Sequence, residues 1–185
     1  SLSHKSNVEI LKGLKVKEIY DEYVVIGKDE YYFKNLICAI PQKALKQFQY
    51  FKDHDQIDSV KPSPLLRIYA KYPTKDLWFK GLQRTITDNH IRDIIPIDYK
   101  SGLIMISYTD GEYAKMWSKA HANGDDYLIE ALHKEIKSLL GLKPPKPEFI
   151  AVHYWNEGFH TWLPGFNMDY SYHKMLNPLK DKNIF

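Results

Sequence analysis

The chain has 185 residues, of which 44% are hydrophobic and 26% are charged, and this suits a globular fold with one sizeable core. Its net charge is only +3 and all but three of its 26 basic residues are lysine, which argues against nucleic-acid binding. One cysteine, Cys38, excludes an intrachain disulfide, and no apolar run approaches the ~20 residues that span a membrane. Without a signal peptide, the composition predicts a soluble protein of the cytoplasm or another reducing compartment, with no nucleic-acid or membrane partner.

The first forty residues predict a small β-meander that leads into a buried strand. Three short segments, LKVKEIY, EYVVIG and YYF, are rich in β-branched and aromatic residues, and a turn separates the last two at Gly27 to Asp29. The apolar run at 36–40 shows no alternation, which indicates a strand buried on both faces. Pro41 ends this strand.

The middle of the chain predicts mostly strands. QKALKQFQYF, at 42–51, has roughly helical spacing of its apolar residues. Farther on, LLRIYAKY (65–72) and LIMISYT (103–109) read as strands, and TITDNHIRDIIPI (85–97) reads as a strand pair. A turn is expected at 109–111, where Thr, Asp and Gly follow one another.

The last third contains the strongest helical pattern and an unusual density of flat side chains. DDYLIEALHKEIKSLLG predicts a helix that Asp125 or Asp126 caps and Gly141 ends. VHYWNEGFHTWLPGF, at 152–166, reads as a turn-rich stretch, either a loop of the core or the wall of a pocket for a ring-shaped ligand. The tail from Asp169 onward is expected to be irregular.

Three segments, in matching order, resemble parts of the flavin-containing amine oxidases, the family of the monoamine and polyamine oxidases. GLKVKEIYDEYVVIGKDEYYFKNLICAIP is similar to the passage in which a valine meets the adenine end of FAD and a strand closes on Ala-Ile-Pro. SPLLRIYAKYPTKDLWF resembles the strand that carries the family's lysine beside the flavin. HYWNEGFHTWLPG resembles the aromatic stretch next to the isoalloxazine ring.

This resemblance implies an α+β fold with a mixed, largely antiparallel sheet flanked by helices, as in the substrate-binding domain of an amine oxidase. Strips of the FAD domain are expected at both ends. The implied divisions are an FAD-domain strip at 1–41, a substrate-binding domain at 42–150 and a return segment at 151–185. Since the Gly-x-Gly-x-x-Gly fingerprint that holds a pyrophosphate is missing, the chain is expected to be the C-terminal middle segment of a larger enzyme.

The resemblance places six residues around the flavin. They are Val16 at the adenine, Arg67 at the position of the lysine near flavin N5, Trp155 and Phe159 beside the isoalloxazine, His160 at an aromatic-cage position, and Trp162 in the substrate pocket. The structural alternatives are an ordinary strand position for Val16, an ion pair for Arg67 and core filling for the two tryptophans. No metal site is predicted, because the histidines lack the close spacing and the cysteine partners of a zinc site.

The implied activity of the parent protein is oxidation of an amine C–N bond by hydride transfer to FAD, with oxygen as the acceptor. The FAD is expected to be non-covalent, because monoamine oxidases carry their flavin-linked cysteine where Phe159 stands. Arg67 and His160 depart from the family pattern, so the alternative is a non-catalytic binding module on the same scaffold. The segment alone is expected to be inactive, to hold no FAD, and to self-associate through the surface that the rest of the FAD domain would cover.

Overall fold

The computed structural model describes residues 8–185, and their secondary structure mixes helices with antiparallel strands. The predicted α+β fold is therefore confirmed. Two compact units are present in the described residues, one formed by 8–60 and 162–185, the other by Lys61–Thr161. No helix within residues 8–185 has both the length and the apolar character needed to cross a membrane.

The first unit contains the predicted meander. Its sheet has three strands in the order β1, β2, β3, with antiparallel neighbours. The elements of this unit are β1 (Val16–Ile19), β2 (Tyr23–Ile26), β3 (Asp29–Tyr32), α1 (Gln42–Leu45) and α4 (Met168–Leu176). Its core packs Ile19 and Val24 of the meander against Phe51, Ile57 and Ile184.

Three predictions for the first unit are wrong. Residues 36–40 form no doubly buried strand: Leu36 makes a single parallel bridge to Ile184, and the Ile37 side chain is 77% exposed. Among the described residues this run pairs only through that bridge, so it is not part of a sheet that is covered on both faces. The helix predicted at 42–51 ends at Leu45. The tail from Asp169 onward, which was expected to be irregular, contains most of α4. The Asn167 side chain caps this helix by accepting a hydrogen bond from Tyr170 N at 2.9 Å.

The second unit is built on a five-stranded sheet in the order β5, β6, β7, β4, β8. Its strands are β4 (Val60–Lys71), β5 (Thr85–Ile86), β6 (Asp93–Asp98), β7 (Leu103–Asp110) and β8 (Phe149–Trp162), and its helices are α2 (Gly111–Ala122) and α3 (Asp125–Leu140). The predicted strands at 65–72 and 103–109 and the predicted pair at 85–97 are all present and antiparallel. At the far edge β8 runs opposite to β4, since Glu148 N donates to Lys71 O at 2.7 Å and Thr161 Oγ1 lies 3.5 Å from Lys61 O.

Alternation along β4 separates a buried face from a half-exposed face. Leu66, Ile68 and Ala70 are fully buried in the core of this unit, which also contains Trp117 of α2 and Leu132 of α3. The residues between them on β4 point the other way, because successive side chains of a strand lie on opposite faces. The helices therefore cover one face of the sheet, and the side chains that remain accessible lie on the opposite face.

The sequence missed two elements of this unit and misplaced a cap. Of the turn expected at 109–111, Thr109 and Asp110 end β7 and Gly111 begins α2. The aromatic stretch at 152–166 is largely the long strand β8. The helix predicted from Asp125 is confirmed and ends at Gly141, but Gly124 occupies its N-cap position. The two aspartates instead form ion pairs, Asp125 with His121 at 3.3 Å and Asp126 with Lys146 at 2.7 Å.

A buried tyrosine and a half-buried histidine make the stability of this unit depend on pH. Tyr72 is buried, its Oη lies 3.3 Å from His133 Nε2, and burial lowers the pKa of His133 from its ordinary 6.5. The unfolded chain therefore binds this proton at a higher pH than the folded chain does, so the contribution of His133 is intact above pH 6.5 and declines as pH falls toward the lower folded-state pKa. We expect His133→Gln to flatten the loss of unfolding free energy between about pH 7 and 5, measured by urea titration. An unchanged slope would assign that loss to other groups.

Candidate functional site

An arginine lies between two aromatic rings on the half-exposed face of the five-stranded sheet. Arg67 of β4 is paired in register with Tyr108 of β7. Its guanidinium carbon is 4.8 Å from the centre of the Tyr108 ring and 5.8 Å from that of Trp155 in β8. Both distances allow cation–π attraction, so the three neighbouring strands hold the charge at a defined position.

The Arg67 guanidinium keeps its charge and has a free hydrogen-bond donor. Hydrogen bonding to Tyr108 and then to Tyr69 raises the pKa of Arg67 above its ordinary value. Its Nε is buried and has no hydrogen-bond partner, and no carboxylate of the side chains that the structure describes lies within ion-pair distance of it. A buried donor without a partner is unusual in a folded protein, and it is available to an acceptor on a ligand.

Further rings extend this feature into what we call the aromatic strip, made of Tyr69, Tyr108, His153 and Trp155 around Arg67. The Tyr69 and His153 rings meet edge to face at 5.8 Å, and His153 lies nearly parallel to Trp155 at 5.9 Å. Trp155 is 44% exposed, so it does not serve as core filling. A strip of flat, partly accessible rings beside a fixed positive charge suits a planar ligand with hydrogen-bond acceptors.

A glycine allows β8 to approach β4 at this point. A Cβ atom on Gly158 would lie 2.5 Å from Leu65 Cβ and 2.9 Å from Trp155 Cβ. Both atoms are close to the backbone and cannot move aside by a rotamer change. Any larger residue at this position would therefore shift β8 and carry Trp155 away from Arg67.

A small cavity of about 240 Å³ adjoins the aromatic strip at Tyr108. Its lining includes Leu65, Arg92, Thr109, Asp110 and Phe159. Thr109 Oγ1 is buried without a hydrogen-bond partner, and Arg92 has a φ of 66°, a left-handed conformation that is costly for a residue other than glycine. The neighbouring Asp93 is neutralised by Arg84, at 2.6 Å. The lining of the cavity thus combines the unpaired hydroxyl of Thr109 with the apolar side chains of Leu65 and Phe159.

The structure brings together three of the six residues that the resemblance places around a flavin. Arg67 and Trp155 belong to the aromatic strip, and Phe159 lines the adjoining cavity. His160 follows Phe159 in the same strand, and its role at an aromatic-cage position stays a prediction.

Val16 and Trp162 both belong to the first unit. Val16 is half-buried and packs against the core of that unit, as an ordinary strand valine does. Trp162 is the last residue of β8 and is 41% exposed, which excludes core filling. The roles assigned to these two residues stay predictions.

Three members of the aromatic strip were not singled out from the sequence. Tyr69 follows Arg67 by two residues and His153 precedes Trp155 by two, so strand alternation could have placed each of them beside its neighbour. Tyr108 could not be found this way, because its place opposite Arg67 depends on the register between β4 and β7. In the part of the chain that the structure describes, histidine, cysteine, aspartate and glutamate form no cluster suited to a metal ion.

No protein-family profile matches the chain, and no curated protein matches it in sequence. Its fold, however, is similar to solved oxidase structures. It aligns over 93% of its length, with a TM-score of 0.67 and 11% identity, to 40% of a protein from Exiguobacterium sp. 255-15 inferred to be a protoporphyrinogen oxidase. It also aligns over 82% of its length, with a TM-score of 0.53 and 12% identity, to 37% of the cyclohexylamine oxidase of Brevibacterium oxydans IH-35A. The chain spans about two fifths of the length of these proteins, and it has the fold of a portion of such oxidases.

Proposed function

We propose that the chain is the substrate-binding part of an FAD-dependent oxidoreductase, and that its parent protein oxidises the C–N bond of an amine with oxygen as the acceptor. The carrying observation is Arg67, held between Tyr108 and Trp155 on an accessible sheet face. Two similar folds support the proposal, since both belong to oxidases and one of these is named for an amine. The rest of the FAD domain would come from elsewhere in the parent protein, because the chain spans only about two fifths of those oxidases.

The residues of the aromatic strip fit an isoalloxazine ring. The ring is planar and carries hydrogen-bond acceptors along one edge, and the unpartnered Nε of Arg67 is a donor that such an edge would satisfy. Trp155 and Phe159 would pack beside the ring, and the backbone at Val16 would meet the adenine. When bound, FAD would supply the acceptor for the hydride, a reaction that no amino-acid side chain performs.

The contribution of the chain would be to position the amine and to select its protonation state. Arg67 stays protonated, so it repels a cationic ammonium group nearby and favours the neutral amine, whose lone pair the oxidation needs. With a flavin bound against them, the rings of Tyr108 and Trp155 would exclude water from the same place. The adjoining cavity, with the free hydroxyl of Thr109, would hold a polar substituent of the amine.

A second candidate function is a non-catalytic binding module on the same scaffold. It is favoured by Arg67 itself, because a permanently charged guanidinium cannot serve as a neutral base where the family places a lysine. In that case the aromatic strip would bind a planar ligand without any redox reaction. The colour of the parent protein separates the two functions.

Flavin content tests the proposal. We expect the full-length parent protein to be purified yellow, and its visible flavin absorbance to bleach when an amine is added without oxygen. We expect the chain of residues 1–185, mixed with FAD and gel-filtered, to stay colourless, since no glycine-rich loop and helix N-terminus hold the pyrophosphate.

Each outcome has a distinct meaning. A colourless parent protein would contradict the proposed oxidoreductase function and would favour the non-catalytic binding module. A yellow chain with stoichiometric FAD would contradict the division of the cofactor site between this segment and the rest of the parent.

Self-association of the isolated chain is expected at high concentration. The side chains of Ile37, Trp155 and Phe159 are accessible, and exposed apolar side chains favour contacts between copies of a chain.

A further inference from the structure

A second cavity, of about 400 Å³, lies between α2 and α3. These helices pack against the buried face of the sheet, whereas the aromatic strip lies on the other face. Four apolar residues contribute to its lining: Met116, Trp117 and Ala120 from α2, and Ala131 from α3. The one-carbon side chains of Ala120 and Ala131 leave the space between the helices unfilled. Its volume is within the range of about 300 to 1,000 Å³ that is usual for small-molecule sites.

The polar lining of this cavity includes two lysines, beside His90, Asn123, Tyr127 and Glu135. Lys119 and Lys134 line it, both are exposed, and neither belongs to an ion pair with another described residue. Glu135 is the one carboxylate among the described lining residues, and its Oε1 lies 2.9 Å from His90 Nδ1. His90 is held in turn by its backbone, whose oxygen accepts from Trp117 Nε1 at 2.8 Å. Two unpaired cations therefore lie beside an apolar lining, while the acid is already engaged.

We propose that this cavity binds a small aromatic monocarboxylate. The ring would lie against Trp117, the Met116 thioether and the two alanines, which are favourable contacts for a flat apolar body. The carboxylate would lie between Lys119 and Lys134, where it gains two ion pairs at the mouth and remains partly hydrated. A neutral ring lacks these pairs, and a cation would meet two like charges. The site is independent of the flavin-dependent function.

Isothermal titration of the chain with 2-naphthoate tests this site, with neutral 2-naphthylmethanol as the matched probe. We expect saturable 1:1 binding of the carboxylate and binding of the alcohol about tenfold weaker, the effect of losing two exposed ion pairs. Ala131→Phe should abolish binding by filling the space, provided that its circular dichroism matches the original chain.

Charge reversal gives a variant that does not disturb the core. Lys134→Glu should weaken 2-naphthoate about tenfold, and so should Lys119→Glu, because each replaces an attraction by a repulsion. Lys137→Glu is the control: it lies on α3 and is exposed, but it does not line the cavity, and its affinity should change less than about twofold. Absence of binding to the original chain would overturn the proposal. Equal binding of acid and alcohol would also overturn it, as would equal effects of Lys134→Glu and Lys137→Glu or retained binding in a folded Ala131→Phe variant.

Discussion

Replacing Arg67 by alanine in the parent protein is expected to lower both FAD affinity and amine turnover by about 10- to 100-fold. The change removes a charge-assisted hydrogen bond in a partly buried place, which contributes about 1.5 to 3 kcal/mol. It also leaves the Tyr108 and Trp155 rings without the cation that lies 4.8 and 5.8 Å from their centres. Fluorescence titration with FAD measures the affinity, and initial rates with the amine measure the turnover.

The matched variants separate charge from geometry. Arg67→Lys keeps a positive charge but loses the planar fork, so we expect an effect between those of the original chain and the alanine variant. Lys71→Ala removes a lysine from the same strand, where its ammonium lies 3.1 Å from Glu148 in an exposed ion pair, and should change neither quantity by more than about twofold. If Arg67→Ala behaves like Lys71→Ala, Arg67 does not face the flavin and the proposed site is wrong.

Replacing Gly102 by alanine is expected to destabilise the second unit by about 3 kcal/mol or more, the upper end of the cost of overpacking. Gly102 has a φ of 75° and lies just before β7, where its carbonyl oxygen accepts from Tyr72 N at 2.9 Å. A Cβ atom there would lie 2.1 Å from the Tyr72 carbonyl oxygen, a backbone atom that can move only with the strand. Urea unfolding followed by circular dichroism measures the loss.

Gly81→Ala is the control for backbone strain alone. Gly81 has a φ of 80°, but no heavy atom lies within 4 Å of the position that its Cβ would take. The cost there should be only that of a left-handed alanine, about 1 to 2 kcal/mol. Equal losses in the two variants would mean that the chain relieves the contact at Tyr72 without strain.

The sequence pattern alone predicts an element correctly where tertiary packing favours the same structure. The alternation of β4 and β7 and the apolar face of α3 are visible in the sequence, and the structure confirms all three elements. The fully buried residues that these elements contribute to one core are Leu66, Ile68, Ala70, Ile104, Ile106, Leu128, Leu132 and Ile136. At these positions the local preference and the tertiary contacts act in the same direction.

The sequence pattern predicts the wrong structure where the conformation of a segment depends on which other segments pack or pair with it. The run at 36–40 is as apolar as a buried strand, but one bridge to Ile184 leaves Ile37 exposed. The stretch at 152–166 contains turn-forming residues, yet pairing with β4 extends it into a strand of 14 residues. Hydrogen bonds to a neighbouring strand outweigh the weak preference of single residues for turns.

The sequence by itself determined that the chain is α+β, that Arg67 lies in a strand, and that Trp155 and Phe159 belong to one aromatic segment. Only the tertiary structure decided that Tyr108 faces Arg67 and that Gly158 lets β8 approach β4 closely. Both facts depend on strand register and on which segments become neighbours. Register is set by the packing of side chains that are far apart in the chain, because a shift of one residue would turn every side chain of a strand to the other face.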